Sequence, residues 1–104
     1  MAAYIIADVQ VTDPDTYWTY RSQTPPIVAQ YGGRFIVRGG AVEPLEGDWQ
    51  AGRLVVIEFP DMAAAKRFYQ SPEYRQIIGF RQRAATSRII LVEGYTEKGW
   101  EPPL

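Results

Sequence analysis

Apolar and polar positions along the chain sort into alternating and helical segments separated by clear stop signals. Ala3–Val11 runs through β-branched and aromatic residues without a breaker until Thr12-Asp13-Pro14, which predicts a strand followed by a helix start. Asp13 is placed to cap that helix, with Pro14 at its first position, where a missing N–H costs nothing. The helix is predicted through about Ser22. Pro25 and Pro26 each delete a backbone donor and crowd the preceding turn. A break or sharp kink is therefore predicted there, with Thr24 capping a second piece to Tyr31 and Gly32-Gly33 ending it.

Arg34–Arg38 reads as a second strand closed by Gly39-Gly40, and Arg53–Phe59 as a third closed by Pro60. Asp61 caps a short helix over Met62–Gln70. Ser71-Pro72 repeats the cap-and-proline device and opens a helix to about Ala84. Arg88–Glu93 is the fourth predicted strand. The segment from Gly94, with Gly99, Pro102 and Pro103, has no period and reads as an irregular tail after a domain over residues 1–95.

The order β-α-β-β-α-β predicts a ferredoxin-like α+β fold: an antiparallel four-stranded sheet, strand order 4-1-3-2, with the helices on one face. Strand side chains alternate faces. One phase is apolar (Ile5, Ala7, Val9; Phe35, Val37; Val55, Ile57, Phe59; Ile90, Val92) and is expected to meet the helices. The other is mixed: Tyr4, Ile6, Asp8; Arg34, Ile36, Arg38; Leu54, Val56, Glu58; Ile89, Leu91, Glu93. That second phase is too apolar to face water. A second copy of the sheet would cover it, giving a homodimer built as an α+β barrel.

Composition points the same way. A chain of 104 residues fits one domain, and such a domain buries only about 60–70% of its unfolded surface. Without cysteine or histidine it has no disulfide, no thiolate, no usual metal or haem ligand and no usual general base. No metal and no cofactor are expected, and a partner chain is the remaining stabiliser. A net charge of −1, from 11 basic and 12 acidic residues, argues against nucleic acid. Apolar runs too short to span a bilayer argue against a membrane. The opening residues lack the features of a signal peptide, so a cytoplasmic location is expected.

Several stretches carry a resemblance: Val11-Thr12-Asp13-Pro14-Asp15-Thr16-Tyr17, Arg38-Gly39-Gly40, Leu45-Glu46-Gly47-Asp48-Trp49, Arg53 through Pro60, Ser71-Pro72-Glu73-Tyr74 and Leu91-Val92-Glu93-Gly94. In this order they resemble a bacterial domain family of unknown function, the one numbered 1330, within the dimeric α+β barrel superfamily. The resemblance covers about residues 3–95. It implies fold and dimerisation. The superfamily also holds cofactor-free monooxygenases, an isomerase and haem-degrading enzymes, but a haem-ligating relative does not fit a chain without histidine.

Candidate chemistry is concentrated in five residues. Asp8, Arg38 and Glu58 share the mixed phase on three adjacent strands. Two desolvated carboxylates raise one pKa, and an arginine beside them can hold a carboxylate or enolate oxygen. The same three also make a structural ion-pair network in an interface. Trp49 lies on a connection, Gly39–Gly52, that is long for a hairpin. It can stack on a planar ligand or anchor an arm on a partner subunit. Tyr17, near Trp18 and Tyr20, offers a phenol but also has the spacing of a core residue. The Arg75, Arg81, Arg83 and Arg88 cluster suits the C-terminal half of a helix or an anionic ligand. Two functions stay open: a pocket for a small organic molecule, with cofactor-free proton transfer or oxygenation as its chemistry, and a non-catalytic structural or stress-related dimeric module.

Overall fold

The computed structural model describes residues 1–95, so the predicted tail beyond Tyr95 lies outside the described residues. Seven elements follow one another: β1 (Ala3–Val11), α1 (Pro14–Gln30), β2 (Arg34–Arg38), β3 (Arg53–Phe59), α2 (Met62–Gln70), α3 (Pro72–Ala84) and β4 (Ala85–Glu93). The strands form one antiparallel sheet in the order β2-β3-β1-β4. This is the ferredoxin-like order expected from the pattern.

The caps act where the sequence places them. The Asp13 carboxylate accepts from the Thr16 amide (3.3 Å) and hydroxyl (2.7 Å), and Asp61 accepts from the Ala64 amide at 2.8 Å. Ser71 ends α2 and starts α3. Its hydroxyl donates to the Phe68 carbonyl and accepts from the Tyr74 amide, at 2.7 and 3.1 Å. The core between sheet and helices centres on Ile5, Val28, Ile57, Phe59, Phe68 and Ile77.

Three local expectations are corrected. First, α1 does not break at Pro25-Pro26 but runs from Pro14 to Gln30 as a single helix. Thr24 is not a cap; its buried hydroxyl donates to the Tyr20 carbonyl at 2.7 Å. Pro25 cannot donate to the Arg21 carbonyl one turn back, so that oxygen is freed. Arg38 Nη2, reaching over from β2, donates to it at 3.0 Å. A tertiary contact thus supplies the donor that Pro25 removes, and the helix continues.

Second, β2 carries a register shift between Phe35 and Val37. Val37 pairs with Val56, and Arg38 pairs with Val55. The bulge turns Val37 to the open face and Arg38 to the helix face, the reverse of strict alternation. Third, β4 begins at Ala85, and its phase is inverted. Ile89 and Leu91 pack against the core, while Ile90 and Val92 are exposed. Pairing with β1 sets this, because Leu91 lies opposite Ile5 and Ile89 opposite Ala7. Among the described residues no helix is long and apolar enough to cross a membrane.

Candidate functional site

The sheet has two faces with different contents. On the open face, Asp8 is buried and fully engaged. It accepts from Trp49 Nε1 at 3.0 Å, from the Gly52 amide at 2.9 Å and from Arg88 Nη2 at 3.0 Å. These donors, Trp49 foremost, hold its carboxyl below the usual aspartate value against the opposing effect of burial. Glu58 accepts from Arg34 Nε at 2.8 Å. Each carboxylate therefore has its own cation, and the two do not meet. Arg38 stands on the opposite face, so Asp8, Arg38 and Glu58 do not form one cluster. Trp49 ties the connection between β2 and β3 to its own sheet through Asp8.

On the helix face lies a cavity between α1, α3 and the sheet. It offers about 40 Å³ to the centres of water molecules. Extended by a water radius of about 1.4 Å on every side, that is room for one small ring. Apolar side chains from the strands, such as Ala7, Val55 and Ile57, form its floor. Its polar lining is one-sided: Arg21, Arg38, Arg53 and Arg81 contribute to the wall, and among the described residues no aspartate or glutamate does. Tyr17, Tyr20, Tyr69 and Tyr74 complete it.

The sequence puts two of these arginines in the interior by simple periodicity. Arg53 has the same parity on β3 as Val55 and Ile57 and pairs with Val9 on β1. Its guanidinium lies against Gly39, where an added Cβ would collide with Nη1; Gly39 also has φ +73, a conformation that glycine adopts at no steric cost. Arg81 follows Tyr74, Ile77 and Ile78 on the buried stripe of α3 and is only 6% exposed. The Nε atoms of Arg53 and Arg81 are buried without a hydrogen-bond partner among the described residues. Neither forms an ion pair there; the two bridges present are Arg34–Glu58 and Arg88–Asp8.

The phenols do not neutralise this charge. Tyr20 and Tyr74 share a hydrogen bond of 2.7 Å, and burial, reinforced by Tyr74, pushes the Tyr20 pKa well above its ordinary value. Tyr20 is thus a neutral donor and not a base near neutral pH. Arg53 lies over the Tyr17 ring at 6.0 Å and Arg81 over the Tyr20 ring at 5.7 Å. Burial, with Arg21 and Arg53 nearby, lowers the Arg38 pKa from its usual value.

Of the five residues singled out from the sequence, Tyr17 and Arg38 line this cavity. Asp8, Trp49 and Glu58 lie on the other face, in the arrangement just described. Arg53 and Tyr74 are not among the candidates read from the sequence, and Arg81 stands there only within the basic cluster that fits a helix end or an anionic ligand. The signal was present in each case, since a charged or phenolic residue at an apolar-phase position is a buried polar group that needs a reason.

The architecture defines a small α+β protein of the ferredoxin-like class with a pocket between its helices and sheet. The chain belongs to the family described as a domain of unknown function, DUF1330, whose profile matches residues 2–95. No curated protein matches it. Among solved structures it is similar to RPA0582, a protein of unknown function from Rhodopseudomonas palustris. That match has 24% identity and a TM-score of 0.70, over 92% of this chain and 84% of the other. It is also similar to SnoaB, a cofactor-independent oxygenase from Streptomyces nogalater, with 16% identity and a TM-score of 0.66 over 95% and 98%. A dimeric protein of unknown function with a ferredoxin-like fold from Bacteroides fragilis matches with 10% identity and a TM-score of 0.54 over 89% and 96%. At these identities the likenesses establish the fold.

Proposed function

We propose that this protein is a homodimer in which each subunit binds one small organic molecule in the cavity between α1, α3 and the sheet. The observation that carries the reading is an unfilled space between the helices and the sheet, walled by phenols and guanidinium groups. A purely structural core would close such a space with apolar side chains. SnoaB, which shares the fold, is described as a cofactor-independent oxygenase; that is compatible with a site built without histidine or cysteine. The dimer is supported by the open sheet face, where Val37, Ile90 and Val92 are exposed beside Ile6, Leu54 and Val56. The Bacteroides fragilis relative is described as dimeric. The full pairing of Asp8 and Glu58 favours a structural role for the charges on that face.

Ala7 supplies the test, because its methyl group lies on the cavity floor. Leucine at this position fills the space from below. Ligand-detected NMR with benzoate, phenol and benzyl alcohol is expected to show binding of at least one of them to the wild type. Ala7→Leu should lose that binding while keeping its fold and a melting temperature at or above wild type. Absence of binding to the wild type, or undiminished binding to Ala7→Leu, contradicts the reading.

A further inference from the structure

We infer that the ligand of this cavity is an organic anion, specifically a small planar carboxylic acid whose carboxylate meets the guanidinium group of Arg53 or Arg81. The inference rests on the pocket reading above and adds its chemical selectivity. Four arginines reach the cavity and, among the described residues, no acidic side chain does, so these residues give the site positive charge without an internal counterion. Arg38 is partly engaged by the Arg21 carbonyl. Arg81 lies beside the Tyr74 hydroxyl, yet it and Arg53 each keep a buried Nε without a partner among the described residues.

Leaving a guanidinium nitrogen desolvated and unpaired is costly unless something completes it. Water can solvate such a group, but a carboxylate meets it with two parallel hydrogen bonds in the matching plane. The remaining walls favour a ring. Tyr17 and Phe35 present aromatic surface, Val55 and Ile57 aliphatic surface, and the room suits a single ring. The Tyr20–Tyr74 hydroxyl pair has one O–H beyond its shared hydrogen bond, and the raised Tyr20 pKa keeps that phenol from adding negative charge that would repel an anion.

Benzoate and benzyl alcohol, closely similar in shape and different in charge, are the probes, read by titration calorimetry and by NMR contacts to the Ala7 methyl group. Benzoate is expected to bind the wild-type protein at least about tenfold more tightly than benzyl alcohol, since the alcohol leaves the arginines unpaired. Arg81→Met should abolish this preference while the melting temperature holds or rises, because an apolar chain replaces an unpaired buried charge. Arg83→Met, which changes an exposed arginine two residues along the same helix, should leave the preference unchanged. If Arg81→Met does not fold, Arg53→Met takes its place in the comparison. Equal binding of the two probes in the cavity overturns the anion selectivity and leaves the pocket standing. Binding of neither overturns both. A preference lost equally in Arg83→Met reduces it to general surface charge and overturns the proposal.

Discussion

Val56→Asp is expected to turn the proposed dimer into a monomer at micromolar concentration. Val56 sits in the middle of β3, opposite Ile6 on β1 and Val37 on β2, at the centre of the open apolar face. In an assembly that covers this face, the new carboxylate is buried without a cation. An uncompensated buried charge costs about 3 kcal/mol or more. With about 1.4 kcal/mol per factor of ten, the dissociation constant should rise on the order of a hundredfold or more. Sedimentation should give twice the 11.8 kDa chain mass for the wild type and the chain mass for the variant. A wild type that sediments as a monomer, or a variant that stays dimeric, contradicts the dimer. The benzoate cavity lies on the opposite side of the sheet, so its test is independent of this one.

Asp8→Ala should destabilise the protein through a different mechanism. It removes the one acceptor shared by Trp49 Nε1, the Gly52 amide and Arg88, which releases the long connection before β3 from the sheet. Charge-assisted hydrogen bonds of this kind are the stronger ones, and in a domain of this size their loss should lower the melting temperature by on the order of 10 °C. The effect depends on pH with a defined sign. Because the folded-state pKa of Asp8 is depressed, its contribution is fully present above the unfolded value of about 3.9. It fades as pH falls through the lower folded value. The gap between wild type and Asp8→Ala should therefore be constant above about pH 5 and close in more acid solution. Asp13 and Glu73, also held below their usual values, keep an acid-dependent loss of stability in both proteins. Melting curves that coincide at neutral pH would show that the Trp49–Asp8–Arg88 contacts do not hold the connection.

Local rules carried most of the fold. The Asp13-Pro14, Asp61 and Ser71-Pro72 signals are read by neighbouring backbone amides, so they are visible in the sequence and act as expected. The strand order follows from the β-α-β-β-α-β pattern in the same way. What was not legible depends on contacts between distant segments. Nothing near Pro25 announces that Arg38 will satisfy the Arg21 carbonyl, and without that donor a break was the reasonable expectation. The bulge at Ile36 is one extra residue in a ladder, which leaves no mark in a run such as Arg34–Arg38. In Ile89–Val92 both phases are apolar, so alternation cannot choose between them; the opposing side chains of β1 do.

The candidate site illustrates a different gap. Asp8, Arg38 and Glu58 share a parity, yet the bulge places Arg38 across the sheet from the two carboxylates, and each carboxylate finds its own arginine. Arg53 and Arg81 could have been recognised from periodicity alone. Arg53 continues the Val55, Ile57, Phe59 phase, and Arg81 falls on the Tyr74, Ile77, Ile78 stripe. The Arg75, Arg81, Arg83 and Arg88 cluster fits a helix end or an anionic ligand, whereas the position of Arg81 in the pattern marks it as interior.

The most direct measurement of the central claim is a crystal structure of the wild-type protein grown with benzoate. A ring is expected between the Tyr17 side of α1 and the Val55–Ile57 floor, with its carboxylate within hydrogen-bond distance of Arg53 or Arg81. A cavity closed by its own side chains, or one holding only water while benzoate lies elsewhere, would contradict it.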